Sequence, residues 1–325
     1  MTTSISPDLL SAAVVAVRDC MGARPGERVL VVTDEPLRTI GYALWQAARD
    51  LGHEVLLVEM LPRATNGAEP PDEVAALMAG AELVLCPTSK SLTHTDARRA
   101  ASAAGARVAT LPGVTEEIMV RCMNADYNRI AARTRRLCDL LAATRVVRVT
   151  APAGTDITMP IAGRTPHASS GIFREKGQWG NLPTGEAYLA PLEGQSQGVV
   201  VVDGSMAGVG VTREPIRIAV EDGYATDIRG GRDADMLRAL LEPHGRDGRN
   251  VAEFGIGTND RAILTGVILE DEKVMGTIHI AFGDNKSMGG SVRVASHLDG
   301  LVKQPTVWFD DRKVMESGRL LLPED

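Results

Sequence analysis

The chain has 325 residues, 44% hydrophobic and 24% charged, an ordinary balance for a folded protein long enough to hold two cores. A net charge of −7 and an aromatic content of 3% argue against a basic or base-stacking surface, so neither nucleic acid nor an anionic membrane is an expected partner. The four cysteines, Cys20, Cys86, Cys122 and Cys138, are far apart and contain no Cys-x-x-Cys pair, which fits reduced thiols rather than a disulfide framework or a structural zinc site.

Met1–Ser6 shows no basic stretch followed by an apolar one, and no apolar run has the length of a membrane span; the expectation is a cytoplasmic protein. Leu9, Leu10, Ala13, Val14 and Val17 recur at helical spacing after Pro7, predicting a helix over 7–22. The β-branched run 28–33 follows Pro-Gly and predicts a buried strand. A helix over 39–51, a strand over 54–59, a helix over 71–79, a strand over 83–86, a helix over 95–103 and a strand over 107–111 come next. Strands and helices in alternation predict a doubly wound, parallel, Rossmann-like α/β domain over residues 1–145. The turn after the first strand is Thr33-Asp34-Glu35-Pro36, without the glycines that a dinucleotide pyrophosphate needs.

A long helix over 114–142 leads to a different texture. Short alternating segments at 146–150, 198–202, 216–220, 262–267, 277–282, 292–296 and 306–309, with one helix near 233–242, predict a β-rich α+β domain over 146–325. The segment Gly171 to Gly180 reads as a pocket-shaping loop.

The candidate chemistry lies mostly in this second domain. His297 and Asp299 close the segment 291–296 and, at i and i+2 of a strand, project from one face at a spacing suited to one metal ion. In the strand 277–282, His279 shares a face with Thr277 and Ala281, opposite the apolar Ile278, Ile280 and Phe282. Glu186 and Glu253 sit in Gly-flanked turns, and an acidic residue among apolar neighbours is costly to bury unless it is paired or metal-bound. His244 follows a predicted helix, where the dipole favours a cationic imidazole. In the first domain His94 lies beyond the carboxyl end of a parallel strand, in a run with Ser91, Thr93 and Thr95 that opens a helix and offers hydroxyls and free amides to an anionic or phenolic ligand. His167, in a Gly/Ser-flanked loop, is a further candidate for the site lining, and His53 reads as structural. No nucleophile elbow and no phosphate-binding loop is present.

The segments 91–95, 181–186, 252–259, 271–283 and 297–300 resemble the shorter members of the thermophilic-aminopeptidase-like (aminopeptidase T) group. The resemblance runs over most of the chain and implies a metal-binding catalytic C-terminal domain, a homo-oligomer, and one of two activities. The larger members are metallo-aminopeptidases with two zinc or cobalt ions, whose ligands correspond to Glu186, Glu253, His279, His297 and Asp299. They carry a tyrosine shortly after the histidine matching His279, whereas residues 284–288 here contain none. The other activity is 2,5-dihydroxypyridine 5,6-dioxygenase, an Fe(II) enzyme that opens an aromatic ring with O₂. By that resemblance the iron ligands are His244, His297 and Asp299, with His94 as a general base. Glu186, Glu253 and His279 become supporting residues, and Ser91, Thr93, Thr95 and His167 surround a small aromatic substrate. An Fe(II) ring-cleaving dioxygenase for a hydroxylated N-heteroaromatic is the reading taken forward, with the dinuclear aminopeptidase as the alternative.

Overall fold

The computed structural model describes residues 5–322, so the leader reading at Met1–Ser6 falls largely outside it. The chain has the expected α/β class and divides into two compact units, one of residues 1–129 and 171–184, the other of residues 130–170 and 185–325. Among the described residues no helix is long and apolar enough to cross a membrane.

The first unit is built on a five-stranded parallel sheet in the order Glu54–Met60, Arg28–Asp34, Leu83–Cys86, Arg107–Thr110, Trp179–Asn181. Leu30, Val32, Val84 and Val108 turn one face of it toward the helices Asp72–Gly80 and Asp96–Ala103. Asp34, at the carboxyl end of its strand, accepts hydrogen bonds from the Ser89 amide (2.7 Å) and hydroxyl (2.6 Å), tying together two strand ends where the strand order reverses. The segment read as a pocket-shaping loop supplies the fifth strand. Gly180 makes this possible, because a Cβ there would lie 2.6 Å from the Phe173 ring.

The helix expected over 114–142 is two, Glu116–Met123 and Tyr127–Ala142. Asn124 closes the first by donating to the Val120 carbonyl (2.9 Å), and the Asp126 carboxylate opens the second by accepting from the amides of Asn128 (3.0 Å) and Arg129 (3.1 Å). The predicted boundary at 145 falls inside the second unit. Leu137 and Leu141 bury in that unit's core, and the Thr134 hydroxyl bonds that of Thr258 at 2.7 Å.

The second unit contains two antiparallel sheets. One has eight strands, with Val146–Thr150, Asp156–Pro160 and Gln197–Val202 near its middle. The other has seven, its centre formed by Glu186–Leu189, Val251–Gly257, Thr277–Gly283 and His297–Lys303. Val147, Val149, Ile157, Val200 and Val202 from the first sheet share one apolar core with Leu189, Phe254, Ile256, Ile278, Ile280, Phe282 and Val302 from the second. Alternation sends the odd-numbered neighbours in the strands of Glu253, His279 and Asp299 to the other face. Two predicted strands are loops. The amides of Ile263 and Thr265 bond the carboxylates of Glu270 (3.0 Å) and Asp271 (2.7 Å), and those of Ser291 and Val292 bond Glu193 (2.6 Å) and Asn285 (3.0 Å), so side chains satisfy what a ladder would have. The last long strand therefore begins at His297 rather than ending near it.

Candidate metal centre

The sheet register assembles the site. Ala281 faces Glu253 on one side and Asp299 on the other, and Gly255 faces Tyr188 and His279. Glu253, Gly255 and Gly257 occupy alternate positions of one strand, hence one face. A Cβ on Gly255 would lie 2.0 Å from His279 Nε2, so the imidazole lies where a side chain would otherwise stand. A Cβ on Gly257 would meet the Val274 carbonyl oxygen at 2.2 Å, so this glycine admits the Lys273–Val274 backbone. Glu253 is thus in the middle of a strand rather than in a turn, next to a register irregularity between Val251 and Glu253. Glu186 follows the turn at Gly185 and begins its own strand.

Four carboxylates and three basic groups converge on this face. His279, wholly buried, places Nε2 3.1 Å from Glu253 Oε1 and 3.5 Å from Glu186 Oε2. His297 places Nε2 3.1 Å from Glu253 Oε2 and 3.5 Å from Asp299 Oδ1, so the i, i+2 pair does point together. Its Nδ1 lies 2.8 Å from the Asp284 carbonyl; an Nδ1–H donating there leaves Nε2 to face the carboxylates. Lys273, 2% exposed, donates to Glu186 Oε1 at 2.6 Å and to Glu272. Among the described residues, ligand atoms of Glu253, His279 and Asp299 lie within 4.8 Å of one another, and so do those of Glu186, Glu272 and His279. His244 joins neither group. It is half-buried in the 3₁₀ turn Glu242–His244 with its Cβ packed over Gly248, and His297 likewise stands outside both groups.

The charges explain the protonation states. Burial alone would lower the His279 imidazole, but the Glu253 hydrogen bond and the charges of Glu253, Glu186 and Asp299 outweigh it and hold the ring at about 9. Burial acts the same way on His297, and Asp299 and Glu253 again outweigh it, holding this ring well above its ordinary value. Glu253 is held far below the usual carboxylate range; burial opposes this, and hydrogen bonds from both imidazoles prevail. Glu272 is pushed up to about 8, first by burial and then by the charges of Glu186 and Asp299, against the pull of Lys273 and His279. Glu186 is raised by burial despite Lys273 and His279.

These residues fit a divalent cation. Two imidazole nitrogens face carboxylate oxygens, an arrangement that requires a proton or a metal between each pair. Asp299 Oδ1, Glu186 Oε2 and His279 Nδ1 are buried without a hydrogen-bond partner among the described residues. Mixed imidazole and carboxylate donors suit Fe, Zn or Mn rather than a soft thiophilic ion.

The remaining candidates lie apart from this cluster in the chain. His167 pairs with Tyr188 across two strands and stacks on it, ring centroids 5.2 Å apart, on the face shared with Glu186. His94 is exposed in the turn before the helix Asp96–Ala103, edge-on to Trp179 at 6.3 Å. Thr95 caps that helix, accepting from the Arg98 amide at 3.2 Å, and Thr93 bonds Ser91 (2.8 Å), Thr110 (2.8 Å) and Asn181 (3.1 Å). The hydroxyls of Thr93 and Thr95 thus already have partners inside the protein. Lys273, Glu272 and Tyr188 were not foreseen as site residues. Tyr188 stands at i+2 from Glu186, a spacing that pointed to it, whereas an Asp-Glu-Lys run ordinarily reads as a solvated turn.

The family model described as NicX, 2,5-dihydroxypyridine 5,6-dioxygenase, matches residues 10–322. The chain belongs to the NicX family. It is similar to the 2,5-dihydroxypyridine 5,6-dioxygenase of Pseudomonas putida KT2440, at 25% identity over 225 residues, 64% of this chain and 63% of that protein. The chain thus spans less than two thirds of that relative's length in sequence alignment. A shorter stretch of 108 residues is 33% identical to aminopeptidase T of Thermus thermophilus, covering 32% of this chain and 26% of that one. In fold, the dioxygenase structure from Pseudomonas putida KT2440 superposes with a TM-score of 0.83 over 99% of both chains at 21% identity. Aminopeptidase T from Thermus thermophilus superposes at 0.71 over 97% of this chain and 99% of that one, at 18% identity. The NicX family chain therefore stands in the superfamily that its motifs resemble.

Proposed function

We propose that this chain is a ring-cleaving dioxygenase that holds one Fe(II) and takes a hydroxylated N-heteroaromatic of the 2,5-dihydroxypyridine kind together with O₂. The observation that carries the reading is a buried and a half-buried imidazole meeting one buried carboxylate, in a chain matched almost end to end by the dioxygenase family. The proposed ligands are His297 and Asp299 with one further imidazole, either His244, as the family resemblance implies, or His279, which Glu253 links to His297. When bound, the iron supplies open coordination positions that bring O₂ and the substrate's oxygen together.

The chain's own residues have separable tasks. The Asp284 carbonyl fixes the His297 tautomer, so Nε2 is the atom offered. Glu253, within 3.1 Å of both imidazoles, holds them in place and takes up their charge. Tyr188 and His167 form a stacked wall beside Glu186, suited to bounding a flat ring. His94 is the proposed acceptor of a phenolic proton, a task for which an imidazole suits neutral pH. A homo-oligomer remains part of the proposal on family grounds.

The test is metal analysis and oxygen uptake. The chelator-stripped chain, reconstituted anaerobically with Fe(II), should consume O₂ with 2,5-dihydroxypyridine, and His297→Ala should retain less than about a hundredth of the wild-type iron affinity. Stoichiometric iron in His297→Ala would refute the ligand assignment. The alternative, a dinuclear aminopeptidase, is favoured by the second acidic group of Glu186, Glu272 and His279 and by the stretch similar to aminopeptidase T. It requires two metal ions per chain and amino-acid release from aminoacyl anilides.

A further inference from the structure

Glu193 stands outside both acidic groups, yet three donors converge on its carboxylate. The Asn285 side-chain amide donates to Oε1 at 2.9 Å, the Ser291 backbone amide donates to the same oxygen at 2.6 Å, and the Arg164 guanidinium pairs with Oε2. Arg164 also donates to the carbonyls of Pro191 (3.2 Å) and Gly289 (2.5 Å). One ion pair thus grips the loop before His297 near both of its ends. Asn285 is wholly buried, and its Oδ1 accepts from the Val292 amide at 3.0 Å. A Cβ on Gly290 would lie 2.1 Å from the Asn285 side-chain carbon, so the loop is wound closely around this asparagine.

This loop decides how His297 is turned. Sheet pairing fixes the His297 backbone opposite Gly283, but a strand leaves the imidazole several staggered orientations. The Asp284 carbonyl, 2.8 Å from Nδ1, selects one. That carbonyl lies in the planar peptide joining Asp284 to Asn285. The same peptide's N–H, on Asn285, donates to the Val292 carbonyl at 3.2 Å. Whatever holds Asn285 therefore aims the oxygen that meets the His297 ring.

We propose that Glu193 and Asn285 are positioning residues for His297: the Arg164–Glu193 pair holds Asn285, Asn285 holds the 284–285 peptide, and that peptide's carbonyl turns the imidazole so that Nε2 is offered to a metal. The inference rests on His297 being a metal ligand, which both ligand sets proposed above share.

The test compares zinc affinity in two backgrounds. The chelator-stripped full-length chain is titrated with Zn(II) against a chromophoric chelator as wild type, Glu193→Ala, Asn285→Ala, His297→Ala, and each of the first two combined with His297→Ala. Near-ultraviolet circular dichroism checks folding. Glu193→Ala and Asn285→Ala should each weaken zinc binding about 10-fold or more, and change it by less than about two-fold where His297 is already absent. An equal loss in both backgrounds overturns the inference, because a general loosening of the fold acts whether or not His297 is present. Unchanged affinity in folded Glu193→Ala overturns it too; both results leave the metal-site reading intact. Wild-type affinity in His297→Ala, or no zinc bound by wild type, overturns the reading of His297 and the inference with it. Amide exchange in the metal-free wild type decides even where a variant does not fold: slow exchange at Ser291 and Val292 supports the proposal, and exchange at the rate of an open chain overturns it.

Discussion

Replacing Gly255 with alanine adds a single methyl group in the centre of the site. The added Cβ would stand 2.0 Å from His279 Nε2 and 2.2 Å from Cε1, so the ring must retreat by about 1.4 Å to regain an ordinary 3.4 Å contact. The 3.1 Å link to Glu253 cannot survive such a shift, and metal–ligand distances tolerate only about 0.2 Å. Overpacking should cost on the order of 1–3 kcal/mol of stability. Loss of one imidazole should weaken metal binding about 100-fold, or about 2.8 kcal/mol at 1.4 kcal/mol per decade. The assay is a competition titration of Fe(II) or Zn(II) against a chromophoric chelator, with urea unfolding in parallel. Gly80→Ala is the control, because nothing lies within 4 Å of its Cβ position and the residue ends a helix. Wild-type metal affinity in Gly255→Ala would refute the reasoning, since it would mean that His279 is not held against the strand of Glu253 in the way described.

Two further outcomes are expected. His94→Ala should keep its full metal complement and lose about 100-fold or more in turnover of dihydroxypyridine, in keeping with the usual contribution of a general base; undiminished turnover would remove His94 from the reaction. In the metal-free protein, stability should fall as pH rises. The His279 ring is held at about 9 against 6.5 unfolded, so its contribution is fully present below about 6.5 and is lost as pH climbs through 9. Glu272, raised to about 8, acts in the same direction over a lower window. Urea unfolding in the presence of chelator should show a loss of about 3 kcal/mol from His279 alone between pH 6.5 and 9.5, with Glu272 adding to it up to about pH 8, and saturating metal, which needs deprotonated imidazoles, should abolish or invert that slope. A flat profile without metal would contradict the charge arrangement.

Much of the fold was legible because the parallel sheet carries β-branched runs with little else in them, and burial on both faces leaves that signature. The convergence of His297 and Asp299 was legible for a geometric reason that does not depend on where the strand begins. What failed has physical causes. Residues 262–267 and 291–296 have strand composition, but carboxylates and an asparagine claim their amides. Glu253 looked like a turn residue because glycines follow it, yet those glycines are in the strand to make room for a histidine and a lysine brought from other segments. No local pattern reports a partner that arrives from another strand of the sheet.

Glu253, His279, His297 and Asp299 stand on strands that are hydrogen-bonded along both edges, deep inside a seven-stranded sheet. A centre made this way cannot be dismantled by opening a loop. Its shape exists before any ion arrives, held open by glycines and stocked with protons that the ion displaces. Loading should therefore be an exchange of charge within a stiff frame, with little accompanying change in hydrogen-exchange protection of residues 251–257 and 277–283.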